Sequence, residues 1–159
     1  MTSLLSDGLG LPAQKAIDMI TFTVTGTAVP KQRPRISGRR AYTPKRTKDY
    51  EGRVLEAFRS SYQGFYPAFG KDMPVRICIT VSQEIPRSWS KKKRARAESG
   101  EIVPLSRNGD IDNIAKSILD ALNGFAYEDD CQVTTLIITK QYGAEPCAKV
   151  QLGEDKQQK

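Results

Sequence analysis

Between Asn113 and Asn123 the apolar residues Ile114, Ile118, Leu119 and Leu122 recur three and four positions apart, a spacing that gathers them on one face of an α-helix. Gly124 follows at the C′ position, where helices commonly stop. Such a stripe must be buried, so the rest of the chain has to supply a matching apolar surface. Strand-like alternation supplies it. "ITFTVTG" (20–26) sets Ile20, Phe22 and Val24 against a threonine face, and "MPVRICITVS" does the same with Val75, Ile77, Ile79 and Val81. "QVTTLIITKQY" and "CAKVQLG" predict two more strands, joined by the turn-like "GAEP". A second amphipathic helix starts near Thr47, carries Tyr50, Val54, Leu55 and Phe58 on its apolar side, and ends at "GFYPAFG". "PRSWSKKKRARAESGE" predicts a short exposed helix with Ser90 as N-cap and Gly100 as stop. The order β, α, β, α, α, β, β predicts an α+β fold in which helices pack against a small mixed β-sheet.

The 159 residues suffice for one domain, expected at 19–153 between a poorly ordered leader (1–18) and a frayed tail (154–159). No apolar run approaches the roughly 20 residues that span a bilayer, and the N-terminus lacks a secretory pattern. The expectation is a cytoplasmic protein with no membrane partner. The three cysteines, Cys78, Cys131 and Cys147, form no C-x-x-C pair and read as reduced thiols. There is no histidine, which excludes Ser-His, Cys-His and zinc-histidine chemistry. Hydrolysis would have to rely on carboxylates, lysine or a metal ion.

The net charge is +7, yet residues 109–130 hold six carboxylates and one lysine. Clustered carboxylates raise one another's pKa values unless solvent, basic side chains or a divalent cation offset the repulsion. Oxygen-only ligands suit Mg²⁺, which takes a couple of carboxylates and fills the remaining positions with water and phosphate. Asp110 and Asp112 precede the helix. A return through "GFAYE" can bring Asp129 and Asp130 back beside them, with Lys116 one turn beyond Asp112. Structural roles exist for each: Asp112 as N-cap, Lys116 as its i,i+4 partner, Asp129 and Asp130 as a polar turn. An EF-hand starting at Asp110 fails, because Ala115 and Ala121 stand where Gly and Glu are required.

Upstream, residues 29–53 carry nine basic side chains against Asp49 and Glu51. Cations draw a polyanion in by releasing its counterions, whereas carboxylates repel it unless a metal reverses their local sign. A metal-dependent phosphodiesterase requires both features.

"DIDNIAKSILDALNG" followed by "YEDDCQV", with "VPKQRPR", "YTPKRTKDYE" and "SWSKKKR" upstream, resembles the RusA-like Holliday-junction resolvases, metal-dependent endonucleases of bacteria and their prophages. The resemblance covers about residues 20–152. It implies that Asp110, Asp112 and Asp130 are catalytic metal-binding carboxylates, with Asp129 a further candidate ligand, and that Lys116 is the essential lysine. It implies Mg²⁺ as cofactor, with Mn²⁺ able to substitute, four-way junction or branched DNA as substrate, and action as a homodimer. No nucleotide cofactor is implied. Family members often have proline before the first aspartate; here it is Gly109.

The expected mechanism has one or two Mg²⁺ ions activating water and stabilising the leaving 3′ oxygen, with Lys116 against the scissile phosphate. Lys31, Arg33, Arg35, Arg39, Arg40, Lys45 and Arg46 are expected on the DNA backbone, which positions the substrate without reading its sequence. Arg87 and the run Lys91 to Arg96 form a second cationic surface, for which plain solvation is an equal reading. Symmetric cutting of a four-way junction calls for a two-fold dimer, whose face could come from the apolar strands or from "YQGFYPAF". The alternatives are a less selective nuclease of branched or flap DNA and a non-catalytic DNA-binding relative.

Overall fold

The computed structural model describes residues 19–105 and 109–156. The expected leader and the last three residues of the expected tail lie outside the described residues. Six strands and three helices follow in order: β1 (Ile20–Thr25), β2 (Arg35–Ser37), β3 (Arg40–Tyr42), α1 (Lys45–Ser61), β4 (Val75–Glu84), α2 (Lys91–Glu98), α3 (Ile111–Leu122), β5 (Val133–Gly143) and β6 (Cys147–Glu154). The fold is α+β with a mixed four-stranded sheet, ordered β1-β6-β4-β5. β4 pairs with β5 in parallel and with β6 antiparallel, and β6 pairs antiparallel with β1.

Alternation creates the core as the sequence predicts. Ile20, Phe22 and Val24 of β1, and Val75, Ile77, Ile79 and Val81 of β4, are buried together with Ala148, Val150 and Leu152 of β6. Onto this face pack α1, through Tyr50, Val54 and Phe58, and α3, through Ile114, Ile118 and Leu122. Each large aliphatic side chain so buried contributes about 1.5–3 kcal/mol. α1 lies against β1 and α3 touches β5, while the two helices also pack on each other. Among the described residues no helix is long and apolar enough to cross a membrane, and the three cysteines are free.

Two features go beyond what the sequence specified. The cationic segment folds into a β2–β3 hairpin, turning at Gly38, whose φ of 61° suits the first central position of a tight two-residue turn. All six of its strand residues are exposed, so it shows no alternation from which strands could be predicted. Second, β5 and β6 are not neighbours despite their short connection, because β4 lies between them. The crossing is tight at Gly143, where an added Cβ would meet Ser82 Cβ at 3.2 Å. β6 also runs into the expected tail, through Glu154. Beyond it Asp155 accepts hydrogen bonds from the hydroxyls of Thr134 and Thr135, both at 2.6 Å.

The aromatics of "YQGFYPAF" divide between the two roles open to them. Phe69 is fully buried, while Phe65 is 76% exposed.

Ile118→Ala should lower the unfolding free energy by about 2–5 kcal/mol, seen in urea as a midpoint shift at constant slope. Leu136→Ala, on the half-open edge strand β5, should cost less because the space it vacates is open to water.

Candidate active site

Rotation of α3 is set by its buried side, and the opposite side is charged. Asp112, Lys116 and Asp120 stand four apart on it, one above the other. Asp110 is the N-cap residue: its carbonyl accepts from Ile114 N at 3.0 Å, but its carboxylate caps nothing. Asp112, expected as a possible cap, lies inside the first turn, and among the described residues it forms no ion pair with Lys116. All three of Asp110, Asp112 and Lys116 are exposed. The local structural roles that could have occupied these side chains are therefore not filled.

Gly109 holds Asp110 in place. Its carbonyl accepts from Lys140 Nζ of β5 at 3.3 Å, and a Cβ there would come within 3.3 Å of Gln83 Nε2 and 3.4 Å of Ile114 Cδ1. A close approach, not a left-handed backbone, explains the glycine. The last turn of α3 is anchored by Tyr127, whose hydroxyl donates to Leu119 O at 2.7 Å. Burial, and then the charges of Asp130, Asp120 and Asp129, hold this phenol well above the ordinary tyrosine range, so it remains a donor.

Beyond Tyr127 the chain makes a single 3₁₀ turn, Asp130–Gln132, which Gln132 fixes. The buried Gln132 side chain accepts from Glu128 N (2.8 Å) and Asp129 N (3.2 Å), and donates to Gly70 O (2.7 Å) and Met73 O (3.2 Å). Asp129 and Gln132 form a capping box, and Asp129 Oδ1 accepts from Cys131 N at 3.2 Å. Asp129 is thus engaged locally. That backbone hydrogen bond, followed by one with the Asp130 side chain, lowers the Asp129 pKa. Asp130 is raised, first by its hydrogen bond to Asp129, then by desolvation and the charges of Asp129 and Asp120. The two neighbouring carboxylates are thus shifted in opposite directions, Asp129 down and Asp130 up.

Asp120 belongs to a second cluster. Lys31 Nζ pairs with Glu51 of α1 and with Asp120 at 2.9 Å, and Lys31 N donates to Asn113 O at 2.8 Å. Desolvation opposes this ammonium, but the hydrogen bonds and charges of Glu51 and Asp120 outweigh it and raise the Lys31 pKa. Lys31 therefore ties the start of the cationic segment to α1 and α3. The other expected backbone contacts, Arg33, Arg35, Arg39, Arg40, Lys45 and Arg46, are all exposed, on or beside the hairpin and at the start of α1. Lys45 and Arg46 line an open groove of about 670 Å³ together with Arg53 and Asp49.

The structure joins Asp129 to Asp130 and places Asp130 within charge range of Asp120, about 12 Å of helical rise beyond Asp112. Among the described residues no three acidic or thiol groups gather as a metal cage, so Asp110, Asp112 and Asp130 are not preassembled as one. The donor chemistry nonetheless fits Mg²⁺. Exposed carboxylate oxygens without protein partners are hard ligands, and Mg²⁺ needs only one or two before water and substrate phosphate complete its octahedron.

Gln132, Asp120 and the Lys31–Glu51 pair were missed by the sequence reading. The first was detectable as the fourth residue of the D-x-x-Q capping pattern from Asp129, and the second as Lys116 plus four. Gln132→Leu should cost about 2–4 kcal/mol, because it strands two backbone N–H and two carbonyl groups. Thermal unfolding measures it.

The family model described as endodeoxyribonuclease RusA matches residues 25–153. The "uncharacterized protein YqaN" of Bacillus subtilis (strain 168) is 35% identical over an alignment of 144 residues that covers 87% of this chain and 98% of that protein. The family match takes in the cationic hairpin, α1, β4, α3, the aspartate turn, β5 and all but the end of β6, and the chain belongs to the RusA endodeoxyribonuclease family.

Proposed function

We propose that the protein is a Mg²⁺-dependent endodeoxyribonuclease that resolves four-way DNA junctions in recombination and repair in the cytoplasm, cutting two strands symmetrically as a homodimer. The family's activity as an endodeoxyribonuclease supports the reaction class. The observation that carries the reading is the set Asp110, Asp112 and Lys116. These side chains are exposed on α3 and have no partners among the described residues, in a chain with cations to spare.

Asp110, Asp112 and Asp130 would hold the metal, with Asp129 as the buttress that keeps the 3₁₀ turn in shape. A divalent cation at such carboxylates supplies an activated water and Lewis-acid stabilisation of the leaving 3′ oxygen. Lys116 faces the same solvent as Asp112 and offsets the charge that builds on the phosphoryl oxygens during in-line attack. Arg33, Arg35, Arg39, Arg40, Lys45 and Arg46 hold the phosphate backbone, so that binding weakens steeply with salt. Lys31, engaged by Glu51 and Asp120, anchors that surface to α3.

Asp112→Asn should reduce cleavage of a four-way junction in Mg²⁺ by at least the roughly 100-fold that even outer partners of a metal site cost, with junction binding retained. Unchanged cleavage would remove the assignment. Lys116→Ala should lower kcat by about 10²–10³-fold with a smaller change in KM. The Asp129–Asp130 pair also predicts a pH effect. Protonation of Asp130 competes with metal binding, and Asp129 raises the pKa at which it occurs. Asp129→Asn should therefore move the acid limb of the kcat/KM profile to lower pH.

A further inference from the structure

We propose that α2 is a second DNA-contact surface that takes the phosphate backbone of a separate duplex arm, an inference that rests on the DNA reading above. α2 is unlike the other helices. Only Ala97 among its residues is buried, and its other positions are mostly basic. An apolar face does not hold it to the body; a few specific contacts do. Trp89, just before the helix, meets Tyr142 of β5 edge-on with ring centroids 5.3 Å apart, and Lys93 Nζ lies 3.8 Å from the Trp89 centroid. Arg94 donates to Pro86 O at 3.3 Å, and Ser90 Oγ accepts from Lys93 N.

These contacts, with the Arg96–Glu101 ion pair at 3.0 Å, occupy the basic side chains from Lys93 onward. Lys91 and Lys92 are left exposed, with no partner among the described residues. The first turn contains no acidic residue. Lysines there add to the positive end of the helix dipole, which is unfavourable for a helix that is merely solvated. A polyanion relieves the repulsion.

Placement argues for a second arm over an extension of the first contact. Tyr142, which anchors α2, is two residues along β5 from Lys140, which holds Gly109. The two side chains share a strand face about 7 Å apart. α2 therefore sits beside the Asp110 end of α3. α1, whose first turn carries Lys45 and Arg46, belongs to the opposite edge of the sheet, since α1 packs on β1 while α2 packs on β5. Two cationic surfaces on opposite edges, with the carboxylates of α3 between them, fit a substrate whose arms diverge at a branch.

The test is binding without cleavage, in EDTA, of Lys91→Gln/Lys92→Gln in the full chain to a four-way junction and to a linear duplex across a salt series. Losing two phosphate contacts should reduce the magnitude of the junction's log K against log salt slope by about 1.8, leave the linear duplex unchanged, and be restored by Lys91→Arg/Lys92→Arg. An unchanged junction slope, or an equal loss on linear duplex, overturns the proposal. Because no strand is cut, the result is independent of the Asp112→Asn outcome and separates failure of the α2 surface from failure of the catalytic assignment.

Discussion

Burial of Ile114, Ile118 and Leu122 against α1 and the sheet fixes the rotation of α3 about its axis, and the charged chemistry follows from that rotation. A helix turned by one residue would bring Asp112, Lys116 or Asp120 toward the core, where an unpaired charge costs several kcal/mol. The apolar stripe thus excludes such registers and presents the acidic stripe to solvent. The same burial sets where the chain emerges at Gly124 and, through Tyr127, where the aspartate turn begins.

Charge is sorted by whether a partner is available within the fold. Lys31, Glu51 and Asp120 neutralise one another where three segments meet, and Asp129 is absorbed by its own turn. Among the described residues Asp110, Asp112 and Lys116 receive no such compensation, and Asp130 is left with a neighbour of like charge. Stability alone would favour partners for these groups. Their exposure in a protein of net charge +7 is understandable if a cation and a phosphate complete the site. The basic hairpin follows the same logic, since Arg35 and Arg40 are exposed on strands that bury nothing and Arg39 is exposed in the turn between them.

Features governed by local period were legible in the sequence. The stripes of α1 and α3, the alternation of β1 and β4, and the Ser90 cap of α2 depend on neighbours within a turn or a strand. The β2–β3 hairpin was not legible, because exposed arginines carry no alternating pattern. Sheet order was hidden for a different reason: a short link such as "GAEP" suggests adjacent strands, and only the pairing of β4 on both sides separates β5 from β6. Of the site, Asp110, Asp112, Lys116, Asp129 and Asp130 could be named from their motif. The sequence does not show that the pKa values of Asp129 and Asp130 move in opposite directions, because that depends on the hydrogen bond Asp129 takes from Cys131 N and on the contact between the two carboxyl groups. Nor does it show that Gln132 reaches 62 residues back to Gly70.

The central claim is that Asp110 and Asp112 at the start of α3 hold a divalent cation, although no three carboxylates are gathered as a cage among the described residues. Anomalous diffraction from crystals grown with Mn²⁺ and a junction arm tests it most directly. The account predicts a peak within about 2.0–2.3 Å of oxygens from Asp110 and Asp112, a range suited to hard divalent ions. A peak bound elsewhere, or by neither aspartate, would contradict it.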